Sequence, residues 1–332
     1  MIRRWQGWVD YWREEEAPDT LALGRIVWGL GVLAYLVHML IWPGIPELFY
    51  RPMDGGVFPR SVHAWSLFAW FTPTPTVIWA VVVVNLAATV SFTVGLGTRA
   101  AAVVMWVCNV SLMRQLSLYG FGADSLVSVF SFLMVLAPLG ASWSVDAAQG
   151  RGRASVPCWP RRLVIAQITL MYVKTGIVKA GSTWSFSGGH SALYYVLNDP
   201  GFARVPGRWA AWLYPLTQLG TFVARWWETL FFVVPWNMHL RSHPPVGGGA
   251  ARGRVGRWMS AVDLRPAMLG TGVALHVALA TFLELGMFSW VTLSLYPFFL
   301  KPTEARAVLE RLSAWVPAWV PWSRGSTTGE AP

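Results

Sequence analysis

The sequence predicts an all-α integral membrane protein with about eight transmembrane helices and additional amphipathic helices at the membrane interface. Of its 332 residues, 55% are hydrophobic and only 13% are charged, which is about half the charged share of a soluble domain. Several apolar stretches approach the ~20 residues that a helix needs to cross the bilayer. The 22 tryptophans favour the same class, because indole rings concentrate at the boundary between membrane and water.

The apolar stretches follow one another along most of the chain. The predicted spans cover residues 21–42, 76–96, 100–118, 125–140, 163–180 and 209–236, with a last pair inside 266–300. A single straight helix over that last segment would be ~50 Å long, so we expect two helices that meet near Gly286. The expected organisation is an interfacial amphipathic helix in 1–20, a transmembrane domain in 21–300, and a cytosolic interfacial helix with a disordered tail in 301–332.

The distribution of basic residues predicts the orientation in the membrane. With the N-terminus inside, the inner segments carry 17 lysines and arginines and the outer loops carry 4. Loops rich in lysine and arginine stay in the cytosol. We therefore expect a multi-pass protein of the cell (inner) membrane with both termini cytosolic. The net charge of +10 then has a membrane explanation, so the expected partner is the lipid bilayer and not a nucleic acid.

Two of the three lysines lie in one short stretch between Tyr172 and Trp184. They are Lys174 and Lys179, and Lys179 falls at the outer end of the fifth predicted span. A lysine in or beside a membrane segment is costly and by default indicates function. An amine in an apolar site loses its proton more easily and can then act as a base or nucleophile. The alternative is an anchor whose ammonium group reaches the lipid headgroups.

Two pairs of charged residues are candidates for ion pairs. Arg225 and Glu228 stand three residues apart within the sixth predicted span, so they share a helix face and are expected to neutralise each other. Arg114 and Asp124 bracket the turn after the third span and could pair across it.

Two histidines and a tyrosine are the remaining candidates near the lysines. His276 lies in a predicted span, where polar groups face the protein interior. It either makes a structural hydrogen bond or lines the functional site. His190 and Tyr194 follow Lys179 in an outer loop, where His190 is either a site residue or a solvated loop residue. Only two cysteines are present, without a metal-ligand spacing, so we expect no metal site.

Three stretches, taken together, resemble one known family. The first is Tyr172-x3-Gly176-x2-Lys179-x4-Trp184, followed by Gly189 and Ala192-Leu-Tyr-Tyr195. The other two are Phe49-Tyr-x3-Asp54-Gly-Gly-Val-Phe-Pro-Arg60 and His276-x9-Gly286-Met-Phe-Ser-Trp-Val-Thr-Leu293. In this order they are similar to the vitamin K-dependent gamma-carboxylase family, and most closely to its bacterial relatives, the horizontally transferred transmembrane (HTTM) domain proteins.

The resemblance implies an integral membrane carboxylase driven by reduced vitamin K, here a menaquinol-type quinol. It implies that the lysine at position 179 takes a proton from the quinol and that a glutamate-containing substrate is carboxylated. Lys179 would then be the catalytic base. The residues expected to line its site are Tyr172, Gly176, Trp184, His190, Tyr194 and His276.

Two other functions are compatible with the same residues. A small-molecule or lipid transporter would use Glu228, Arg225, Glu284 and His276 as a buried polar path, although the sequence has no inverted repeat of the kind many transporters show. A non-catalytic membrane scaffold would use the ionisable residues only as anchors and pairs. A naphthoquinone that purifies with the protein in stoichiometric amount would favour the enzyme over both.

Overall fold

The computed structural model describes residues 2–41, 45–57, 65–115, 122–243 and 254–315, and this part of the chain is almost entirely helical. Its only strands are the two-residue β1 (Glu15–Glu16) and β2 (Val156–Pro157), which pair antiparallel. The predicted all-α class is therefore confirmed. The chain divides into two compact units, one made of residues 1–164 and 290–332 and the other of residues 165–289.

Six helices form most of the first unit. They are α1 (Ile2–Arg13), α2 (Asp19–Ile41), α3 (Ile45–Leu48), α4 (Pro75–Val94), α5 (Thr98–Gln115) and α6 (Gly122–Leu136). Helix α4 packs against both α2 and α5, and α5 packs against α6. The ends of α4 follow local sequence, because the Thr74 side chain caps its first turn and Gly95, at φ 77°, ends it in the left-handed conformation that glycine adopts without strain.

A fully buried arginine on α2 holds the first unit together at one end. The Arg25 guanidinium donates hydrogen bonds to the carbonyls of Leu139 at 2.8 Å, Ser142 at 3.3 Å and Trp143. Its Nε donates to the carbonyl of Thr93, at the end of α4, at 3.3 Å. Because backbone carbonyls satisfy these donors, the buried cation costs far less than an isolated one would.

Eight further helices run through the second unit and its borders. They are α7 (Trp159–Val178), α8 (Ala192–Asn198), α9 (Arg208–Trp212), α10 (Tyr214–Thr229), α11 (Val233–Ser242), α12 (Arg254–Ala261), α13 (Arg265–Phe282) and α14 (Phe288–Leu293). The expected break near Gly286 is confirmed, since that residue, at φ 53°, lies between the end of α13 and the start of α14.

The single span predicted over residues 209–236 is wrong. This segment contains α9, α10 and the start of α11 instead of one helix. Pro215 and Pro235 stand in the first turns of α10 and α11. Proline is favoured in the first turn of a helix but interrupts a helix when it stands in the interior, so one continuous helix cannot run through both positions. Among the described residues, α2 and α4 are long and apolar enough to cross a membrane, and α6 is apolar but shorter. Eight spans therefore stay a prediction.

The last described helix, α15 (Pro302–Ser313), belongs to the first unit. Its Ala305 and Leu309 are buried in a cluster with Leu23 of α2, and Arg306 forms an ion pair with Asp19 at 2.9 Å. The apolar face expected to rest on the membrane is thus partly covered by protein. The tail predicted to be disordered lies outside the described residues.

Candidate functional site

The central contact of the second unit is an ion pair between Lys179 and Glu228. Lys179 follows the last residue of α7, and Glu228 lies near the end of α10. The Lys179 Nζ bonds to Oε2 of Glu228, and the two side chains are only 21% and 18% exposed. Because both groups are largely removed from water, each depends on the other for its neutralisation.

A glycine on α7 permits this ion pair to form. A Cβ added to Gly176 would lie 2.5 Å from both the backbone nitrogen and Oγ1 of Thr229. Helix α7 therefore approaches the end of α10 more closely than any side chain at this position would allow. Lys179 follows Gly176 by less than one helical turn and Glu228 precedes Thr229, so the close approach brings the ammonium to the carboxylate.

Three further residues complete what we call the Lys179 cluster, which consists of Lys179, Trp184, His190, Arg225 and Glu228. The Lys179 Nζ lies 5.3 Å from the centre of the Trp184 ring, within the range of a cation–π interaction. The Trp184 carbonyl accepts a hydrogen bond from Arg225 Nη1 at 2.8 Å and from His190 Nδ1 at 3.1 Å. Lys179 thus lies beside the indole of Trp184, and two hydrogen bonds to the Trp184 carbonyl hold that residue in place.

His190 is held in an unusual backbone conformation. Gly189 and His190 both have positive φ, at 65° and 50°, and the His190 backbone N–H donates to the Ser185 carbonyl at 3.0 Å. A left-handed residue other than glycine persists only where its surroundings hold it, and such residues concentrate at functional sites. The turn directs the imidazole inward, where it packs between Phe186 and Phe222 with ring centroids 4.7 and 5.4 Å away.

The hydrogen bond of His190 assigns its ring nitrogens. A carbonyl oxygen can only accept, so Nδ1 carries the proton that it donates to Trp184. In the neutral ring Nε2 is then an acceptor, and this atom is buried without a hydrogen-bond partner among the described residues. Since the whole residue is only 9% exposed, the alternative of a solvated loop residue is wrong.

One of the two predicted ion pairs does not form. Glu228 bonds to Lys179, 49 positions away, while Arg225 donates to the Trp184 carbonyl, so the predicted Arg225–Glu228 pair is replaced by a tertiary contact. Asp124 accepts a hydrogen bond from the Tyr35 hydroxyl, and its pairing with Arg114 stays a prediction.

Tyr172 of α7 and His276 of α13 form a second polar contact. It packs against Trp227 of α10, the residue before Glu228. The Tyr172 hydroxyl and His276 Nε2 are 2.7 Å apart, and both residues are buried. The Tyr172 ring packs on Trp227 and Phe231, with centroids 4.8 and 4.6 Å away. Trp227 immediately precedes Glu228, so this aromatic packing fixes the turn of α10 that carries the carboxylate.

Tyr194, predicted to line the site, packs among apolar and aromatic side chains. It packs on α8 against an apolar cluster built on Leu197, Ala210 and Leu283, and its ring lies 5.2 Å from that of Tyr214. None of the hydrogen bonds or ring contacts of the described residues joins it to the Lys179 cluster. Its place in the fold is therefore that of a packing residue.

Two site residues, Gln218 and Thr221, were not predicted, although their helical spacing with Arg225 and Glu228 indicates them. Gln218 Nε2 donates to the Gly189 carbonyl at 2.7 Å, and Thr221 Oγ1 accepts from the Leu193 backbone N–H at 3.0 Å. Together with Arg225 and Glu228 they recur at helical spacing, which places all four on one face of α10. This polar stripe holds the loop that carries Trp184 and His190.

Comparison with known protein families places the chain in one of them. The model of the HTTM domain matches residues 14–209. The chain belongs to the HTTM domain family. No curated protein and no solved structure matches it. The HTTM match includes Lys179, Trp184 and His190 but ends before Glu228. With the apolar helices α2 and α4, HTTM membership indicates a membrane location, surrounded by the lipid bilayer.

Proposed function

We propose that this HTTM protein is a membrane enzyme of the vitamin K-dependent carboxylase type, in which the Lys179–Glu228 pair acts as a base toward a lipid-soluble quinol. The observation that carries the proposal is the largely buried ion pair, formed where Gly176 lets α7 meet α10. Membership of the HTTM family is consistent with it. The substrate is proposed to be a protein or peptide that contains glutamate.

The carboxylate solves the difficulty that a charged lysine cannot accept a proton. Transfer of one proton from Lys179 Nζ to Glu228 Oε2 leaves a neutral amine beside a neutral acid. Desolvation penalises charged forms, so in a site with little water the equilibrium between the charged and the neutral pair lies further towards the neutral pair than it does in water. The amine can then take a proton from a hydroxyl of the quinol, after which the pair carries one positive charge.

The cluster also has groups suited to hold a quinol. His190 Nε2 is a buried acceptor without a partner among the described residues, as a hydrogen bond from a quinol hydroxyl requires. Trp184 and the exposed ring of Phe186 offer apolar faces for a flat ring system. A bound quinol would supply the electrons for oxygen reduction and thereby the strong base that carboxylation of glutamate needs.

The transporter alternative loses support from the placement of its polar residues. Glu284 forms an ion pair with Arg204 at 2.8 Å, and these side chains are 48% and 40% exposed. Glu228 is occupied by Lys179, and His276 by Tyr172. The residues expected to form one buried path therefore have separate partners. The scaffold alternative would use the Lys179–Glu228 pair only to join α7 to α10, and substitutions separate it from the enzyme.

The test measures quinol oxidation by purified protein in lipid nanodiscs supplied with reduced menaquinone and oxygen. Lys179→Ala and Lys179→Arg should each lower the rate by at least about 100-fold, the usual contribution of a general base. Arginine can still pair with Glu228 but does not give up its proton, so it preserves a structural link and abolishes a base. Glu228→Gln should also lower the rate, because the amine loses its proton acceptor.

Lys174→Arg is the matched control, because Lys174 is exposed on α7, five residues before Lys179, and should tolerate the change. Melting temperatures establish that each variant is folded. An active Lys179→Arg protein would show that Lys179 is not the base. The scaffold would be the better account if wild-type protein neither oxidised the quinol nor retained a naphthoquinone.

A further inference from the structure

A basic cleft lies in the first unit, where the end of α6, the start of α5 and the loop before α7 come together. Its volume is about 320 Å³. Three arginines and one carboxylate line it together with apolar and aromatic side chains. The residues that matter here are Arg99, Arg151, Arg153, Asp146, Pro138 and Trp159.

Asp146 does not cancel the positive charge of the cleft, because it is used within the fold. Its carboxylate accepts hydrogen bonds from the Gly97 and Thr98 backbone N–H groups, at 2.9 and 2.8 Å, and from Thr98 Oγ1 at 2.7 Å. These bonds satisfy the free N–H groups at the start of α5. Arg151 forms an ion pair with the same carboxylate at 2.6 Å. Asp146 and Arg151 therefore neutralise each other at the wall of the cleft.

Arg99 and Arg153 supply the net positive charge. Both are exposed, and in the described part of the chain neither has a carboxylate partner. The Arg153 backbone N–H donates to the Ala141 carbonyl at 2.9 Å, which fixes this residue against the cleft wall. Two guanidinium groups thus face one cleft with their donors open, an arrangement that suits the oxygens of a phosphate.

The surroundings of the cleft match a lipid more closely than a soluble anion. Trp159 lies at its edge, and indoles favour the depth of the lipid headgroups. Helix α5 exposes Val103 and Val104, and α6 exposes Val129 and Phe132, so apolar surface continues from the cleft. The loop that carries Arg151 and Arg153 is one of the segments predicted to face the cytosol, where the leaflet contains anionic lipids.

We propose that this cleft binds the phosphate of an anionic phospholipid headgroup, with Arg99 and Arg153 as its ligands. The acyl chains would follow the apolar surfaces of α5 and α6. Basic pockets beside membrane helices on the cytosolic side are a known way to select anionic lipids. An inorganic phosphate offers the same group to the arginines without acyl chains, so it is the alternative source that the test must separate.

The test measures binding of three probes to the purified full-length protein in detergent, by native mass spectrometry and by melting temperature. The probes are dioleoylphosphatidylglycerol, dioleoylphosphatidylcholine and inorganic phosphate. Wild-type protein should prefer phosphatidylglycerol to phosphatidylcholine. The Arg99→Gln/Arg153→Gln variant should bind phosphatidylglycerol about 25-fold more weakly, at roughly fivefold for each arginine near a membrane surface.

Two further variants keep the result interpretable. Arg208→Gln/Arg311→Gln removes the same charge from exposed positions elsewhere and should leave binding unchanged. Arg99→Lys/Arg153→Lys keeps the charge and should bind within about threefold of wild type, since the electrostatic term is retained. Equal losses in the cleft variant and the distant control would overturn the proposal, as would equal binding of the two lipids. Phosphate that binds wild type as tightly as phosphatidylglycerol would overturn the lipid assignment.

Discussion

At the scale of single residues, the partner of Glu228 is set by tertiary structure and not by its neighbours on the helix. Arg225 stands one turn earlier on α10, yet it donates to the Trp184 carbonyl, and the carboxylate bonds to Lys179, 49 positions away. The sequence marked Lys179 as a candidate site residue because a lysine beside an apolar run is costly. It could not predict Glu228 as its partner, because that contact depends on how closely two helices approach.

The first prediction at this scale concerns the strength of the Lys179–Glu228 pair. A double-mutant cycle with Lys179→Ala and Glu228→Ala should give a coupling free energy of about 1–3 kcal/mol, because either single change leaves a largely buried charge unpaired. Unfolding of the four proteins in detergent measures it. Arg204 and Glu284 provide the matched cycle in the same unit, and their exposed pair should couple by less than about 1 kcal/mol. Equal coupling in the two cycles would show that burial does not strengthen the Lys179–Glu228 pair.

At the scale of helices, the sequence predicted helices where apolar runs are long and failed where they are interrupted. The five predicted spans from 21–42 to 163–180 coincide with α2, α4, α5, α6 and α7. The run over 209–236 is mostly apolar, so its mean hydropathy does not distinguish one span from three shorter helices. The prolines at 215 and 235 were the available signal, because each marks the start of a new helix.

The prediction at the scale of helices tests the approach of α7 to α10. Gly176→Ala places a methyl group where Thr229 lies 2.5 Å away, so it should destabilise the protein by about 1–3 kcal/mol, the usual cost of overpacking. Gly270→Ala on α13 is the control, because an added Cβ meets nothing within 4 Å there. That change should be neutral or stabilise by up to about 1 kcal/mol. Thermal unfolding compares them, and equal melting temperatures would mean that α7 can shift without loss.

At the scale of the whole molecule, composition and motifs predicted the fold class and the family. The arrangement of the site residues could not be predicted from them, because it depends on the backbone conformation. The all-α class follows from apolar content, and the HTTM family from motifs that include Lys179 and Trp184. The inward position of His190 could not be predicted, because it depends on a left-handed turn at Gly189 and His190 that no hydropathy pattern encodes. Membrane sidedness is likewise a prediction that rests on charge alone.

The last prediction tests that sidedness directly. Because inner segments carry 17 basic residues and outer loops 4, both termini should be cytosolic and the loop after α7 should face outward. In a protein whose two buried cysteines, Cys108 and Cys158, have been replaced, Ser187→Cys should react with a membrane-impermeant maleimide on intact cells. Ala154→Cys, also at an exposed position, should react only after the membrane is permeabilised. The reverse labelling pattern would place Lys179 at the cytosolic side and the arginines of the basic cleft outside, away from the leaflet whose lipids they are proposed to bind.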